Sequence, residues 1–157
     1  MENNNQKKKH RCPFQAGTFI KKDLLLSKAF LSLTESGILF LILILLKRQM
    51  PGNKKLMQNM PKDTILNNGD ITLSSPEYIS IGLNASKLTR GMDDCIEKGF
   101  IRLIHQGGKC RGDYNKFELI NDWRRYGAEN FEVEKRDKSV GYGFCSKESH
   151  KKRKEKK

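Results

Sequence analysis

Side chains that could do catalytic or metal chemistry lie far apart in this 157-residue sequence. Its three histidines and four cysteines form no CxxC pair and show no zinc-ligand spacing. The carboxylates of Asp93 and Asp94 are adjacent, so on a helix they would point in different directions and could not cooperate. The P-loop, GxGxxG, HExxH and GxSxG motifs are all absent from the sequence. We therefore expect a protein that is not an enzyme, with no metal and no cofactor.

Positive charge is the chemistry that the sequence does concentrate. The formal net charge is +13, of which residues 1–11 carry +3 and residues 147–157 carry +5, which leaves +5 for residues 12–146. A positive domain with still more positive ends suits a polyanionic partner such as nucleic acid. The alternative is that the basic ends only keep a small protein soluble.

Apolar residues are concentrated between Phe19 and Phe131. This distribution predicts one folded domain over residues 20–127. The polar ends predict a disordered basic arm over residues 1–18 and a polar, Lys-rich disordered tail over residues 128–157. The arm lacks the apolar region of a secretory signal, so we expect a cytoplasmic protein.

The most apolar segment covers residues 37–46, with nine consecutive large apolar side chains. That is about half of the roughly 20 residues that a membrane span requires. The segment is bounded by Glu35 and Lys47, so we expect no membrane association but a buried helix over 34–48, capped by Thr34. Because this helix is apolar on all sides, we also hypothesise a homodimer formed through it.

Shorter elements are predicted on either side of this helix. They are a short helix or two turns within 20–33, a loop over 49–69, a short strand over 71–73, a β-hairpin of 101–106 with 114–119, and a helical stretch over 123–126.

Between the strand and the hairpin, the sequence predicts two helices joined by a tight turn. Ser74-Ser75-Pro76-Glu77 has the pattern of a capping box with proline in the first turn. Gly82 ends this first helix. Asn84 caps a second helix that runs to Lys98, and Gly99 supplies the left-handed residue that follows it.

Two helices crossing around a glycine-containing turn form a helix-turn-helix. With a helix and a strand before it and a hairpin after it, the sequence resembles the bacterial winged helix-turn-helix superfamily over residues 71–120, and loosely over 20–48. Ile96-Glu-Lys-Gly-Phe-Ile101 is similar to the hinge that leads into the wing of such regulators. Asp122-Trp-Arg-Arg-Tyr-Gly127 resembles the closing segment of replication-initiator-like winged-helix proteins. The resemblance implies an α+β fold, mostly helical, with a small antiparallel β-hairpin wing.

The resemblance also implies a function. The helix at about 84–98 would read double-stranded DNA in the major groove, and the basic wing at about 107–113 would contact adjacent phosphates. The protein would then be a nucleoid-associated transcriptional regulator or a replication-type accessory protein. Asp93 and Asp94 would repel the DNA backbone and limit how flat the helix lies. The predicted DNA-binding residues are Asn84, Ser86, Lys87, Thr89, Arg90, Lys109 and Arg111.

Three alternatives remain open. Lys87 and Arg90 could belong to an ordinary solvated face, in which Arg90 pairs with Asp94 one turn away. The winged helix could be a protein-docking module, with non-specific nucleic-acid binding by the basic ends. The ends could instead bind RNA, although the sequence shows no aromatic platform for stacking unpaired bases.

Overall fold

The computed structural model describes residues 18–51, 60–61, 63–108 and 112–138. Within these ranges the chain has an α+β fold of α-helices, one two-stranded antiparallel sheet and a 3-10 helix. The elements in chain order are α1 (Lys22–Leu25), α2 (Lys28–Leu31), α3 (Glu35–Lys47), α4 (Ser75–Ile79), α5 (Ala85–Glu97), β1 (Ile101–His105), β2 (Lys116–Leu119) and the 3-10 helix (Asp122–Arg125).

Helices α3, α4 and α5 begin at the caps that the sequence predicts. The Thr34 hydroxyl accepts a hydrogen bond from the amide three residues later, at 3.1 Å, and so starts α3. The Asn84 side chain accepts from the Lys87 amide at 2.8 Å and starts α5. Before α4, the Ser74 amide donates to the Glu77 carboxylate at 2.7 Å. Each contact satisfies a backbone or side-chain group that the end of the helix would otherwise leave unpaired.

Glycine closes the turn between α4 and α5 and the end of α5. Gly82 has a φ of 79° and Gly99 a φ of 74°, a left-handed conformation that other residues rarely adopt. At Gly99 there is also no room for a side chain, because a Cβ atom there would lie 2.9 Å from the backbone of Asp122. The prediction that Gly82 and Gly99 follow the ends of these two helices is therefore confirmed.

Helices α3 and α5 cross at a contact where each helix carries a glycine. A Cβ atom at Gly91 of α5 would overlap the carbonyl oxygen of Ser36, and one at Gly37 of α3 would overlap the carboxylate of Asp94. Beside the crossing, the Cys95 thiol donates to the Gly37 carbonyl at 3.3 Å. The two backbones therefore approach closely, and α5 is fixed against the most apolar helix of the chain.

Helix α3 lies at the centre of the hydrophobic core. Phe40 of α3 packs edge-on against Phe117 of β2, with ring centroids 5.5 Å apart. Of the large apolar residues of α3, Leu46 is the exposed one, so the surplus apolar surface that motivated the homodimer hypothesis is largely covered within the chain. A dimer through this helix stays a prediction. No helix among the described residues is long and apolar enough to cross a membrane.

The hairpin is antiparallel, with Ile101 opposite Leu119 and an irregularity in the register after Leu103. The strand predicted over 71–73 is reduced to a single bridge, in which Ile71 and Phe117 exchange backbone hydrogen bonds of 3.3 and 2.9 Å. The prediction of a strand there was therefore wrong in extent. One residue pairs with β2, and the backbone then turns into the start of α4.

Two other predicted segments take a shorter or tighter form. The segment 20–33 forms the two one-turn helices α1 and α2, because Ser27 ends the first and caps the second through a 3.1 Å bond to the Phe30 amide. The helical stretch after β2 is the 3-10 helix, which buries Trp123. In the predicted 49–69 loop, the side chain of Asn68 bonds both the amide and the carbonyl of Leu119, at 2.7 and 3.1 Å.

The helix crossing predicts the effect of a single methyl group. At an exposed position within a helix, replacing glycine by alanine normally stabilises the helix by about 1 kcal/mol. We expect Gly91→Ala to do the opposite and destabilise the fold by about 1–3 kcal/mol, because the methyl overlaps the Ser36 carbonyl and the helices must separate. Urea unfolding of Gly91→Ala beside Ser86→Ala, an exposed position of the same helix, measures this. A stabilising Gly91→Ala would show that α3 and α5 do not cross this closely.

Candidate nucleic-acid interface

The N-terminal half of α5 presents polar and cationic side chains at the surface. Asn84, Ser86 and Arg90 are exposed, and Lys87 and Thr89 are half-buried. The first turn contains no acidic residue. Because backbone amides also point outwards at a helix N-terminus, this end of α5 favours contact with an anion.

The hydrogen bonds of these residues show which groups remain for a partner. Asn84 uses its side-chain oxygen as the cap, and the Thr89 hydroxyl donates to the Ala85 carbonyl at 2.9 Å. Ser86 and Arg90 make no side-chain hydrogen bond or ion pair with any residue that the structure describes. The alternative in which Arg90 pairs with Asp94 is therefore not the arrangement in the structure.

Asp94 instead turns towards α3. Its carboxylate accepts hydrogen bonds from the Thr34 amide and hydroxyl, both at 2.8 Å, and from the Lys98 ammonium at 2.5 Å. Burial raises the pKa of the Asp94 carboxyl, but the hydrogen bonds from Lys98 and Thr34 lower it by more, so this pKa lies below its ordinary value of 3.8. Asp94 is thus a charged structural residue between α3 and α5, and not a repulsive group on the outer face.

Asp93 is neutralised by the segment that follows the 3-10 helix. Arg136 reaches it with two nitrogens, at 2.9 and 3.4 Å, and the Lys138 ammonium lies 3.5 Å away. The Arg136 side chain is only 8% exposed. Residues 128–138 form no helix or strand, yet they contact the domain beyond the boundary predicted at residue 127. Both acidic residues of α5 that were expected to repel DNA therefore have cationic partners.

A second ion-pair group holds the same segment against the hairpin. The Arg102 guanidinium of β1 lies 3.1 Å from the Glu134 carboxylate and 3.7 Å from that of Glu118. The hydrogen bond and charge of Glu134 raise the pKa of Arg102. The C-terminal segment is thus attached both to the hairpin and to α5.

At the loop end of the hairpin, polar contacts join the two arms. The Gly107 amide donates to the Asn115 side chain at 2.9 Å, and a Cβ atom at Gly107 would overlap the backbone of the opposite arm. His105 Nε2 lies 2.7 Å from the Asp113 carboxylate. These contacts fix the two arms to each other directly beside the predicted wing loop. The two site residues predicted at its tip, Lys109 and Arg111, lie outside the described residues.

Helix α5 and the loop end of the hairpin lie side by side. A cavity of about 240 Å³ separates them, lined on one side by Ala85 and Thr89 of α5 and on the other by Gly108 and Tyr114. The structure thus brings Thr89, one of the predicted residues of α5, next to the loop end of the hairpin. Arg124 and Arg125 do not join this surface as unpaired cations, since each has a carboxylate partner, in Asp23 and Asp122 respectively.

A metal-binding cluster is not assembled within the described ranges. There, no group of three or more His, Cys, Asp and Glu side chains could hold a metal ion. Burial raises the pKa of the Cys95 thiol far above its usual range, which disfavours the thiolate that nucleophilic chemistry needs. The groups presented at the surface of the N-terminal half of α5 are hydrogen-bond donors, acceptors and cations.

The lowered pKa of Asp94 predicts how stability changes in acid. On acidification the unfolded chain protonates Asp94 near its ordinary value, before the folded protein does. The stabilisation is therefore complete above that value and is lost as the pH falls through the lower pKa of the folded state. We expect Asp94→Asn to lower the melting temperature at neutral pH, and this difference to shrink below about pH 4. Asp70→Asn, which breaks an exposed pair with Lys116, should have little effect at either pH. A constant difference at all pH values would contradict the assignment.

The Arg136 contact predicts a measurable coupling across 43 residues of sequence. A double-mutant cycle with Arg136→Ala and Asp93→Ala should give a coupling of about 1–3 kcal/mol in urea unfolding, because the pair is bidentate and mostly buried. The exposed pair of Arg125 and Asp122 is the matched control and should couple by less than about 1 kcal/mol. Equal coupling in both cycles would mean that residues 128–138 are not fixed to α5.

Known proteins do not assign this surface. Comparisons of the chain with protein-family models, with curated proteins and with solved structures find no match. What the surface binds has to be inferred from its own geometry and charge.

Proposed function

We propose that this protein binds double-stranded DNA, with the N-terminal half of α5 in the major groove and the β1–β2 hairpin beside it as the wing of a winged helix-turn-helix. The observation that carries the proposal is the outer face of α5. Its first half combines donors, acceptors and cations, and in its second half Asp94 pairs with Lys98 and Asp93 with Arg136. An α-helix fits the major groove, where base edges present distinct hydrogen-bonding patterns.

The residues of α5 have different roles in this proposal. Arg90 is exposed and unpaired among the described residues, so its planar guanidinium is available for bidentate contact with guanine. Ser86 and Asn84 lie in the first turn and contact bases or phosphates. Lys87 contacts phosphate. Thr89 contributes through its hydroxyl oxygen, because the hydroxyl hydrogen is donated to the Ala85 carbonyl.

The basic ends supply affinity without sequence preference in this proposal. Residues 147–157 carry a net charge of +5. The C-terminal segment reaches Lys138 beside Asp93, because Arg136 holds it against α5. The tail therefore starts at the recognition helix, next to the phosphates that α5 would approach. Each phosphate neutralised releases counterions, so binding should weaken steeply with salt.

The proposed biological role is that of a transcriptional regulator or a replication-type accessory protein, associated with the bacterial nucleoid. Both roles use the same interface, and neither requires catalysis, a metal or a cofactor. The non-enzymatic character of the chain stays a prediction.

A protein-docking module is the second candidate, and one observation favours it. Ile79 and Ile81, at the end of α4 and in the turn before α5, are exposed, and Ile104 of β1 is exposed as well. Exposed apolar side chains close to a proposed interface are typical of protein contacts. A docking module would bind duplex DNA only as strongly as its basic ends allow.

Selection from a random duplex library with the full chain tests the proposal. We expect a defined motif, and on that motif Arg90→Ala should weaken binding by roughly 1–3 kcal/mol and relax the preference at one base position. Anisotropy titrations on the selected and a scrambled duplex measure both effects. Arg48→Ala is the matched control, since Arg48 follows α3 and donates to the Phe19 carbonyl outside α4 and α5, and its loss removes the same charge.

Each other outcome would assign the protein a different binding function. An equal loss on all sequences would assign Arg90 to phosphate. Binding without a motif would leave a non-specific, salt-sensitive DNA binder. Stronger binding to single-stranded RNA of the same length would favour the RNA alternative. Duplex binding that is abolished by removing residues 1–17 and 139–157 would favour the docking module.

A further inference from the structure

A second concave surface is built entirely from residues outside α4 and α5. It encloses about 460 Å³ between α1, the C-terminal half of α3, the ends of the hairpin and the 3-10 helix. That volume lies within the range of roughly 300–1,000 Å³ that small-molecule sites occupy. A ligand here would not compete for the residues that face DNA in the proposed function.

The floor of this cavity is apolar. Leu24 of α1 and Leu41 and Leu45 of α3 form one wall. Phe100 and Trp123 form another, with their rings stacked 6.1 Å apart. Stacked aromatic rings beside leucine side chains favour an apolar chain or ring as the occupant.

The rim of the cavity is positively charged. Three cations line it, Lys21, Arg48 and Arg124, against the single carboxylate of Asp63. Lys21 pairs with Asp63 at 2.5 Å, and Arg124 pairs with a carboxylate of α1. Arg48 differs from them, because its guanidinium donates to the Phe19 carbonyl and forms no ion pair with a described carboxylate, although its charge contributes to lowering the pKa of Asp63.

We propose that this cavity binds an amphipathic organic anion, whose apolar body lies on the floor and whose carboxylate or related acidic group pairs with Arg48. The charge of the rim selects this occupant over residues 1–11 of the chain. Residues 1–11 carry a net charge of +3, so the cations of the rim would repel them. An anion instead forms a charge-assisted hydrogen bond with the guanidinium while its apolar body leaves water.

The sole tryptophan of the chain gives a direct readout, since Trp123 lines the cavity. Decanoate is titrated into the full-length protein while the tryptophan fluorescence is recorded, and decanol serves as the neutral analogue. We expect a saturable change with decanoate. Arg48→Gln should weaken decanoate binding about tenfold, the effect of losing one charged hydrogen bond, and leave decanol binding unchanged. Leu24→Phe, which fills part of the floor, should weaken the binding of both.

Arg90→Gln is the matched control, because it removes the same charge from a residue that does not line the cavity. It should leave decanoate binding unchanged. Thermal unfolding of each variant confirms that it is folded before titration. The proposal is overturned if decanoate produces no saturable change in fluorescence. It is also overturned if Arg48→Gln and Arg90→Gln weaken binding equally, which would mean attraction by overall charge only. DNA binding is not part of this test, so its outcome is independent of the proposed function.

Discussion

The close crossing of α3 and α5 is the constraint on which the other features of the structure depend. Gly91 lies directly against the backbone of Ser36, and Gly37 leaves room for the Asp94 carboxylate between the two helices. Asp94 then reaches across to the cap of α3 at Thr34. Because α3 lies at the centre of the core, this contact fixes α5 to the core while its outer face remains open to a partner.

The acidic side chains Asp93 and Asp94 of α5 are both held in ion pairs within the chain. A carboxylate on a helix would normally face solvent, but Asp94 is directed inwards and bonded to Lys98. Asp93 is paired with Arg136 from the C-terminal segment. The outer surface of α5 near its N-terminus, including the unpaired Arg90, therefore has a positive character that the alternation of acidic and basic residues in the sequence does not suggest.

Local patterns predicted the parts of the fold that local interactions determine. The cap residues Thr34 and Asn84 bond to amides three residues away, so their effect can be inferred from a few positions of sequence. The extent of the strand at Ile71 depends on its pairing with β2, more than 40 residues later, and the sequence overestimated it. The contact of Arg136 with Asp93 has no sequence signal at all, because a salt bridge between distant segments has no characteristic spacing.

The central claim is that α5, and not another face of the domain, contacts DNA. Photo-crosslinking measures this most directly, with p-benzoylphenylalanine placed at Ser86 of α5 or at Leu26, an exposed position after α1. With a duplex bearing the preferred motif, the account predicts a crosslink from position 86 and none from position 26. Crosslinks of equal yield from both positions, or from position 26 alone, would contradict it.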